Sequence, residues 1–338
     1  MLAAIFQGNK VVELKKFPKP EPLDNMVVVQ VKSSCICGSD LKRYVLPEGS
    51  RGTIVGHEGA GQVVGTDKAR HLKIGDRVSL WARDVCGHCY WCRSGIGGNF
   101  CPELKCMGYT PGFHGVDAEY VLIPERCCFP LPDDLSYDIG ALLGDGLGTP
   151  YRAIKQAKLS LTDTVAILGL GPVGLGCVLL AKFLGARVIG VEINEFRIEL
   201  AKKLGADCCI NPEKEDARKA IFDTTKGYGA DVCINCTAAE STFNLALDST
   251  RNQGRAVMLA APSQVTIKPQ QFISKELKAI GSLYYSDGEY WEMLDLIERG
   301  LQIEPLITHH FPLKDINQAF ATFYGGNTGK VVIHPEVT

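Results

Sequence analysis

The chain has 338 residues, room for about two domains and a sizeable core, and its 36 Lys and Arg against 38 Asp and Glu leave a net charge of −2. With no basic excess to meet a phosphate backbone or an anionic bilayer, nucleic-acid and membrane partners are disfavoured. A composition of 46% hydrophobic and 22% charged residues argues against disorder and for a soluble globular protein.

The N-terminus, MLAAIFQGNK, has a short apolar run and no basic lead-in, so no secretory signal is expected. The 14 cysteines then point to reduced thiols and metal thiolates in a cytoplasmic protein. Residues 1–145 read as short β-rich runs between turns, among them 26–31 (MVVVQV), 61–64 and 118–123. Cys37 opens CGSD, which also holds Ser39 and Asp40, and His57 and Glu58 follow Gly56. Cys86, Cys89, Cys92 and Cys101 stand in CGHCYWCRSGIGGNFC. Three thiolates at every third position and a fourth after a loop can close a tetrahedron around Zn²⁺ with no position left open. His88, inside the same loop, is an alternative donor. Asp145 lies in LLGDGLGTP. Singly, Cys37, His57 and Asp145 read as a core thiol, a buried hydrogen-bonding ring and a turn former.

From Thr164 the pattern changes to strand, glycine turn, helix and strand: TVAIL, GLGPVG, CVLLAKFL, RVIGVE. The apolar stretch 165–181 is broken by Gly169, Gly171, Pro172, Gly174 and Gly176, which suits a βαβ unit and not a bilayer span. Gly169, Gly171 and Gly174, with Pro172 and Val173 between them, satisfy G-x-G-x-x-G, and Glu192 ends the next strand. The first glycine permits the sharp turn, the second admits a pyrophosphate, and the third lets helix and strand pack. Glu192 can accept from both ribose hydroxyls and would repel a 2′-phosphate, so NAD is expected over NADP. Arg197 reads either as an adenine-stacking cation or as a solvated helix-face residue. Strand-like runs at 231–235 and 255–260 extend a doubly wound parallel sheet. The alternation stops after Ala279. GSLYYS reads as an edge or interface strand, and residues 280–286 could pair with a second copy in a homodimer or homotetramer. An amphipathic helix (DGEYWEMLDLIERG) and a strand (GKVVIHPEV) follow. The expected organisation is α/β: a Rossmann nucleotide-binding domain over 147–284 inserted into a β-rich domain made of 1–146 and 285–338, with the cysteine lobe near 84–102.

In this order, CGSD, GHE, the cysteine quartet and GLGPVG resemble the zinc-dependent medium-chain dehydrogenase/reductase family over nearly the whole chain. The resemblance implies a GroES-like fold for the β-rich domain and two zinc ions per chain, one in the quartet. The catalytic one would sit on Cys37, His57 and Asp145 and supply a Lewis acid that lowers the pKa of an alcohol. It further implies that Glu58 borders the metal and in some members enters its coordination, that Asp40 orients His57, and that Ser39 meets the substrate oxygen. Thr149 matches a position that packs near the nicotinamide. Many relatives carry a histidine five residues after the metal-binding cysteine as an outer proton relay; this chain has Lys42 there. The gap from Cys92 to Cys101 is also one residue longer than is common.

The implied activity is reversible hydride transfer between NAD and a small alcohol, with polyol, sugar or cyclitol substrates favoured and simple secondary-alcohol, threonine-type or aminocyclitol substrates as the alternative. A non-catalytic nucleotide-sensing zinc protein is the alternative of another class. Substrate choice is expected to rest on residues 44–54, 106–115 and 284–290.

Overall fold

The computed structural model describes residues 1–50, 52–94 and 97–336. The chain divides into two compact units: Met1–Gly148 with Tyr285–Glu298 and Gln302–Thr338, and Thr149–Tyr284 with Arg299–Leu301.

The second unit holds a six-stranded sheet of β1 (Thr164–Leu168), β2 (Arg187–Val191), β3 (Cys208–Ile210), β4 (Ala230–Asn235), β5 (Thr250–Met258) and β6 (Lys278–Gly281). Every pairing is parallel and the spatial order is β3-β2-β1-β4-β5-β6. Such strands are covered on both faces, which is why TVAIL and ADVCIN are nearly continuous apolar runs rather than alternating ones. This is the doubly wound Rossmann order, whose direction of winding reverses between β1 and β4 and opens a crevice at the carboxyl end of β1. Helix α1 (Pro172–Phe183) starts at that end, and α2 (Glu195–Lys203) follows β2. The strand expected at 281–286 is corrected: β6 ends at Gly281, and the next five residues have no strand geometry. Tyr285 is fully buried, so the edge open to pairing is Lys278–Gly281 alone.

The first unit is built on a seven-stranded sheet in the order Ile307–Pro312, Lys330–His334, Met26–Cys35, Glu58–Thr66, Arg77–Leu80, Cys128–Pro130, with Tyr120–Pro124 also paired to Met26–Cys35. Its pairings are antiparallel except that of the first two strands. One side is filled by Phe6, Ile36, Tyr44, Val55, Phe320, Phe323, Val331 and Ile333, with Phe6 edge-on to Phe320 at 5.1 Å. The helix Tyr137–Leu143 is capped by the Ser136 hydroxyl, which accepts from the Ile139 N–H, and it is buried from Ile139 onward. The Asp145 turn follows this helix directly. Among the described residues no helix is long and apolar enough to cross a membrane.

Candidate active site

The sheet register explains why distant motifs meet. Cys35 pairs with Glu58 on one side and with Val332 on the other. The loop carrying Cys37 therefore emerges between His57 and Lys330. Gly56 holds a φ of +87°, a left-handed conformation, and a Cβ there would stand 2.5 Å from the Asp117 carboxyl. Glycine is thus required for His57 to turn into the site.

Cys37, His57, Glu58 and Asp145 are buried, and one donor atom from each lies within 4.8 Å of the others. The Cys37 Sγ is 3.6 Å and the His57 Nε2 3.4 Å from the Asp145 Oδ2. Donors around a tetrahedral Zn²⁺ sit about 3.6 Å apart for sulfur and oxygen and about 3.4 Å for nitrogen and oxygen, so both distances to Asp145 suit the ion. Their electrostatics agree with this fit. Burial, then Asp145 and Glu58, push the Cys37 thiol up. Burial alone would lower His57, yet Asp40 and Cys37 hold it well above the usual imidazole range. A buried pocket that raises the proton affinities of Cys37 and His57 is one that a cation would neutralise.

Around these donors, Asp40 is a hub. Its Oδ2 accepts from the Cys37 N–H at 3.0 Å, and its Oδ1 lies 3.2 Å from the His57 Nδ1 and accepts from the Tyr109 hydroxyl at 3.0 Å. Burial opposes ionisation of Asp40, but His57 and these hydrogen bonds hold its carboxyl below the usual range. The Tyr109 proton is thereby committed, so the Ser39 hydroxyl, 2.9 Å away, donates to the phenol oxygen. The lone pairs of Ser39 are left for an incoming hydroxyl. Lys42 is exposed on the helix Asp40–Tyr44, and the side-chain partner of Ser39 is Tyr109. Tyr109 lies in the segment 106–115 that sequence reading assigned to specificity, with no motif to single it out. Arg43 braces it, donating to the Gly108 carbonyl and lying 5.1 Å from the Tyr109 ring centroid.

Lys330 was also missed. Both carboxylate oxygens of Glu58 accept from its ammonium, and the two side chains are 0% and 1% exposed. The Glu58 carboxylate overcomes the burial that would lower Lys330 and pushes its pKa up, so the cation persists. A lone lysine in KVVIH carries no sequence signal for a partner 272 residues away.

The four lobe cysteines converge with their Sγ atoms within 4.8 Å of one another. Cys86 and Cys92 are 4.0 Å apart and Cys89 and Cys92 3.5 Å, bracketing the roughly 3.8 Å edge of a tetrahedral zinc tetrathiolate. The Cys89 N–H points at the Cys86 Sγ and the Cys86 N–H at the Cys101 Sγ, as donors to thiolates do. Chiefly through such N–H groups, that of His88 first, Cys86 is lowered to about 7. The His88 ring is exposed, with Nδ1 3.0 Å from the Cys86 carbonyl and Nε2 3.7 Å from Glu103. Of the longer loop between Cys92 and Cys101, Gly95 and Ile96 lie outside the described residues.

In the second unit, Gly169 has a φ of +88° and faces the Thr237 methyl, where a Cβ would stand at 2.1 Å. A Cβ on Gly174 would stand 2.0 Å from the Gly169 carbonyl oxygen, whereas one on Gly171 meets nothing nearer than the Arg197 guanidinium at 4.0 Å. The middle glycine thus borders open space at the N-cap of α1, with Pro172 and Val173 opening the helix, and this space fits a pyrophosphate. Glu192 directly follows β2; it accepts from the backbone N–H of Leu170 in the glycine loop at 2.8 Å and from those of Ile193 and Asn194 in its own turn at 2.9 and 3.1 Å. Arg197 is partly buried beside the loop rather than solvated, and burial lowers its pKa against the pull of Glu192. Thr149 lies on the helix Gly148–Gln156 and is partly buried.

Comparison with known proteins agrees with these features. Residues 23–133 match the alcohol dehydrogenase GroES-like domain and residues 172–299 the zinc-binding dehydrogenase domain. The chain is 34% identical to proteins named L-threonine 3-dehydrogenase from Shewanella baltica and Shewanella putrefaciens, over 97% of both chains in each case. Among solved structures it is similar to the alcohol dehydrogenase TADH from Thermus sp. ATN1, with a TM-score of 0.92 and 28% identity over 99% of this chain and 100% of that one. It is also similar to 2R,3R-butanediol dehydrogenase from Bacillus subtilis, with a TM-score of 0.89 and 27% identity over 99% of each chain.

Proposed function

The chain belongs to the zinc-dependent medium-chain dehydrogenase/reductase family and is an NAD-dependent oxidoreductase of the alcohol-dehydrogenase type, and we propose that its substrate is a secondary alcohol whose neighbouring carbon bears an amino or hydroxyl group. The observation that carries this reading is the buried set Cys37, His57 and Asp145 beside the Ser39 hydroxyl. The relatives named for L-threonine and for 2R,3R-butanediol support the substrate class. They move the weight from polyols, sugars and cyclitols toward threonine-type amino alcohols, and all of these share a vicinal polar group.

In this reading Cys37, His57 and Asp145 would hold the catalytic zinc, and Cys86, Cys89, Cys92 and Cys101 a structural one. Zinc bound at the first set supplies a Lewis acid that favours loss of the alcohol proton. Ser39 accepts that hydroxyl, oriented by Tyr109 and through it by Asp40. Asp40 also holds the His57 ring with Nε2 turned to Asp145. The charged Glu58–Lys330 pair borders the donors without adding net charge. The glycine loop, Glu192 and Arg197 would hold the dinucleotide, which would supply the acceptor for the hydride of the alcohol carbon. The unpaired thiols of all fourteen cysteines accord with a cytoplasmic enzyme, and the open edge of β6 with a homodimer or homotetramer.

The test is NADH formation across L-threonine, 2,3-butanediol, sorbitol, a cyclitol and simple secondary alcohols. The highest kcat/KM is expected with a vicinally substituted alcohol. A clear preference for unsubstituted ones would overturn the substrate class, and NADH binding without turnover on any alcohol would favour a nucleotide sensor. Asp145→Asn should lower kcat and catalytic zinc content while NADH binding and the zinc of the cysteine lobe are kept.

A further inference from the structure

Outside the site and the cysteine lobe, one other cluster of metal-binding side chains stands out in the first unit: Asp138, His310 and His334. It joins three segments far apart in sequence. His310 lies on the strand Ile307–Pro312 at the end of the seven-stranded sheet, and His334 closes the neighbouring strand Lys330–His334. Their parallel register pairs His310 with Val332 and Pro312 with His334. Successive side chains alternate between faces, so His310 and His334 share a face two positions apart, and their rings stack at 5.3 Å with planes 24° apart. His309 follows the opposite alternation and turns to Thr308 and Phe311. Asp138 approaches the pair from the helix Tyr137–Leu143. Its Oδ1 is 2.8 Å from the His334 Nε2 and its Oδ2 3.6 Å from the His310 Nδ1.

We propose that Asp138, His310 and His334 form a third metal site, which takes a divalent transition cation of the zinc type. Two imidazole nitrogens and one carboxylate suit zinc, cobalt, nickel or copper, whereas magnesium and calcium prefer all-oxygen sets. One donor atom from each residue lies within 4.8 Å of the others, so the Asp138 carboxylate can bridge to both rings with little movement. Side-chain exposures of 21%, 52% and 42% for Asp138, His310 and His334 give an ion access from solvent and leave room for water to complete its coordination. Without metal, a proton on His334 performs the cation's task, and the Asp138 hydrogen bond raises its affinity for that proton. Metal and proton therefore compete, and binding should weaken as pH falls. A bound ion would tie the edge strand to its neighbour and to the helix, so it should also raise thermal stability.

The experiment dialyses the full-length zinc-loaded enzyme exhaustively, then equilibrates it with excess Zn²⁺ and measures bound zinc per chain and Tm. One additional equivalent and a higher Tm are expected in the unmodified protein. Both gains should be lost in His310→Gln, which alters a half-exposed side chain, and in His310→Gln/His334→Gln, while the zinc present before addition and the turnover stay the same. Failure of the unmodified protein to take up an extra equivalent would overturn the proposal. Retention of that equivalent in the double variant would overturn it too, because the ion would then be bound elsewhere. Should the double variant not fold, His310→Gln and Asp138→Asn decide the matter by the same loss of zinc.

Discussion

Lys330→Met keeps the apolar stem of the side chain and deletes the ammonium that both oxygens of Glu58 accept from. The pair is 1% and 0% exposed, so water cannot take the ammonium's place. Removing one partner of such a buried pair costs about 3–5 kcal/mol, against about 1 kcal/mol or less for a surface pair. At roughly 2–4 °C per kcal/mol for a unit of about 150–250 residues, the size of the first unit that holds the pair, that unit in the metal-depleted variant should melt about 6–20 °C lower. Zinc on Cys37, His57 and Asp145 adds positive charge beside Glu58, so the loss should shrink in the zinc-loaded enzyme. Neutralising both partners in Glu58→Gln/Lys330→Met should restore much of the stability, with a coupling of about 2 kcal/mol or more in a double-mutant cycle. Urea and thermal unfolding, each with and without zinc, measure these quantities. A coupling below about 0.5 kcal/mol in the metal-depleted protein would refute the claim that the pair acts as buried charges. Gly146→Ala reaches the same pair by another route: its Cβ would stand 2.7 Å from the Lys330 Cε and 3.1 Å from its Nζ. Displacing the ammonium in this way should reproduce the zinc-dependent loss.

Three further outcomes are expected. Cys86→Ser should remove one zinc ion per chain by elemental analysis and leave the ion on Cys37, His57 and Asp145; loss of both ions would mean that the centres are not independent. Glu192→Ala should narrow the preference for NAD over NADP and raise the KM for NAD, because the Leu170 N–H of the glycine loop and the N–H groups of Ile193 and Asn194 lose their acceptor. Similar kcat/KM values for the two cofactors in the unmodified enzyme would sink that assignment. Glu125 accepts from the N–H groups of Arg70, His71 and Leu72 at 3.0, 2.6 and 2.8 Å, and despite the opposing effect of burial these hold its carboxyl below the usual value of 4.5. A folded pKa below the unfolded one means that this stabilisation is complete above pH 4.5 and disappears as pH falls through the folded value. Glu125→Gln should therefore be less stable than the unmodified protein at neutral pH, with the difference closing on acidification; a constant difference would exclude the carboxylate as its source.

Residues whose roles rest on local spacing are legible in the amino-acid sequence itself. The cysteine quartet lies within one short segment, and the glycine loop, Pro172 and Glu192 obey the period of a single βαβ unit, so covalent connectivity alone brings their atoms together. The parallel order of β1 to β6 is similarly foreshadowed by apolar runs alternating with amphipathic helices. Where a residue's role arises from pairing between distant strands, the sequence carries no such signal. Lys330 reaches Glu58 because their strands flank Met26–Cys35 on opposite sides, and His310 meets His334 because one parallel register aligns them. Tyr109 meets Ser39 through the path of a loop with no regular period. The strand expected over 281–286 fails for a related reason: apolar and aromatic content suits an edge strand and a buried irregular segment equally, and the burial of Tyr285 decides between them. Local chemistry is thus written in short-range spacing, while the buried counter-ion, the orientation of Ser39 and the third cluster of donors depend on contacts that exist only once the sheet has chosen its neighbours.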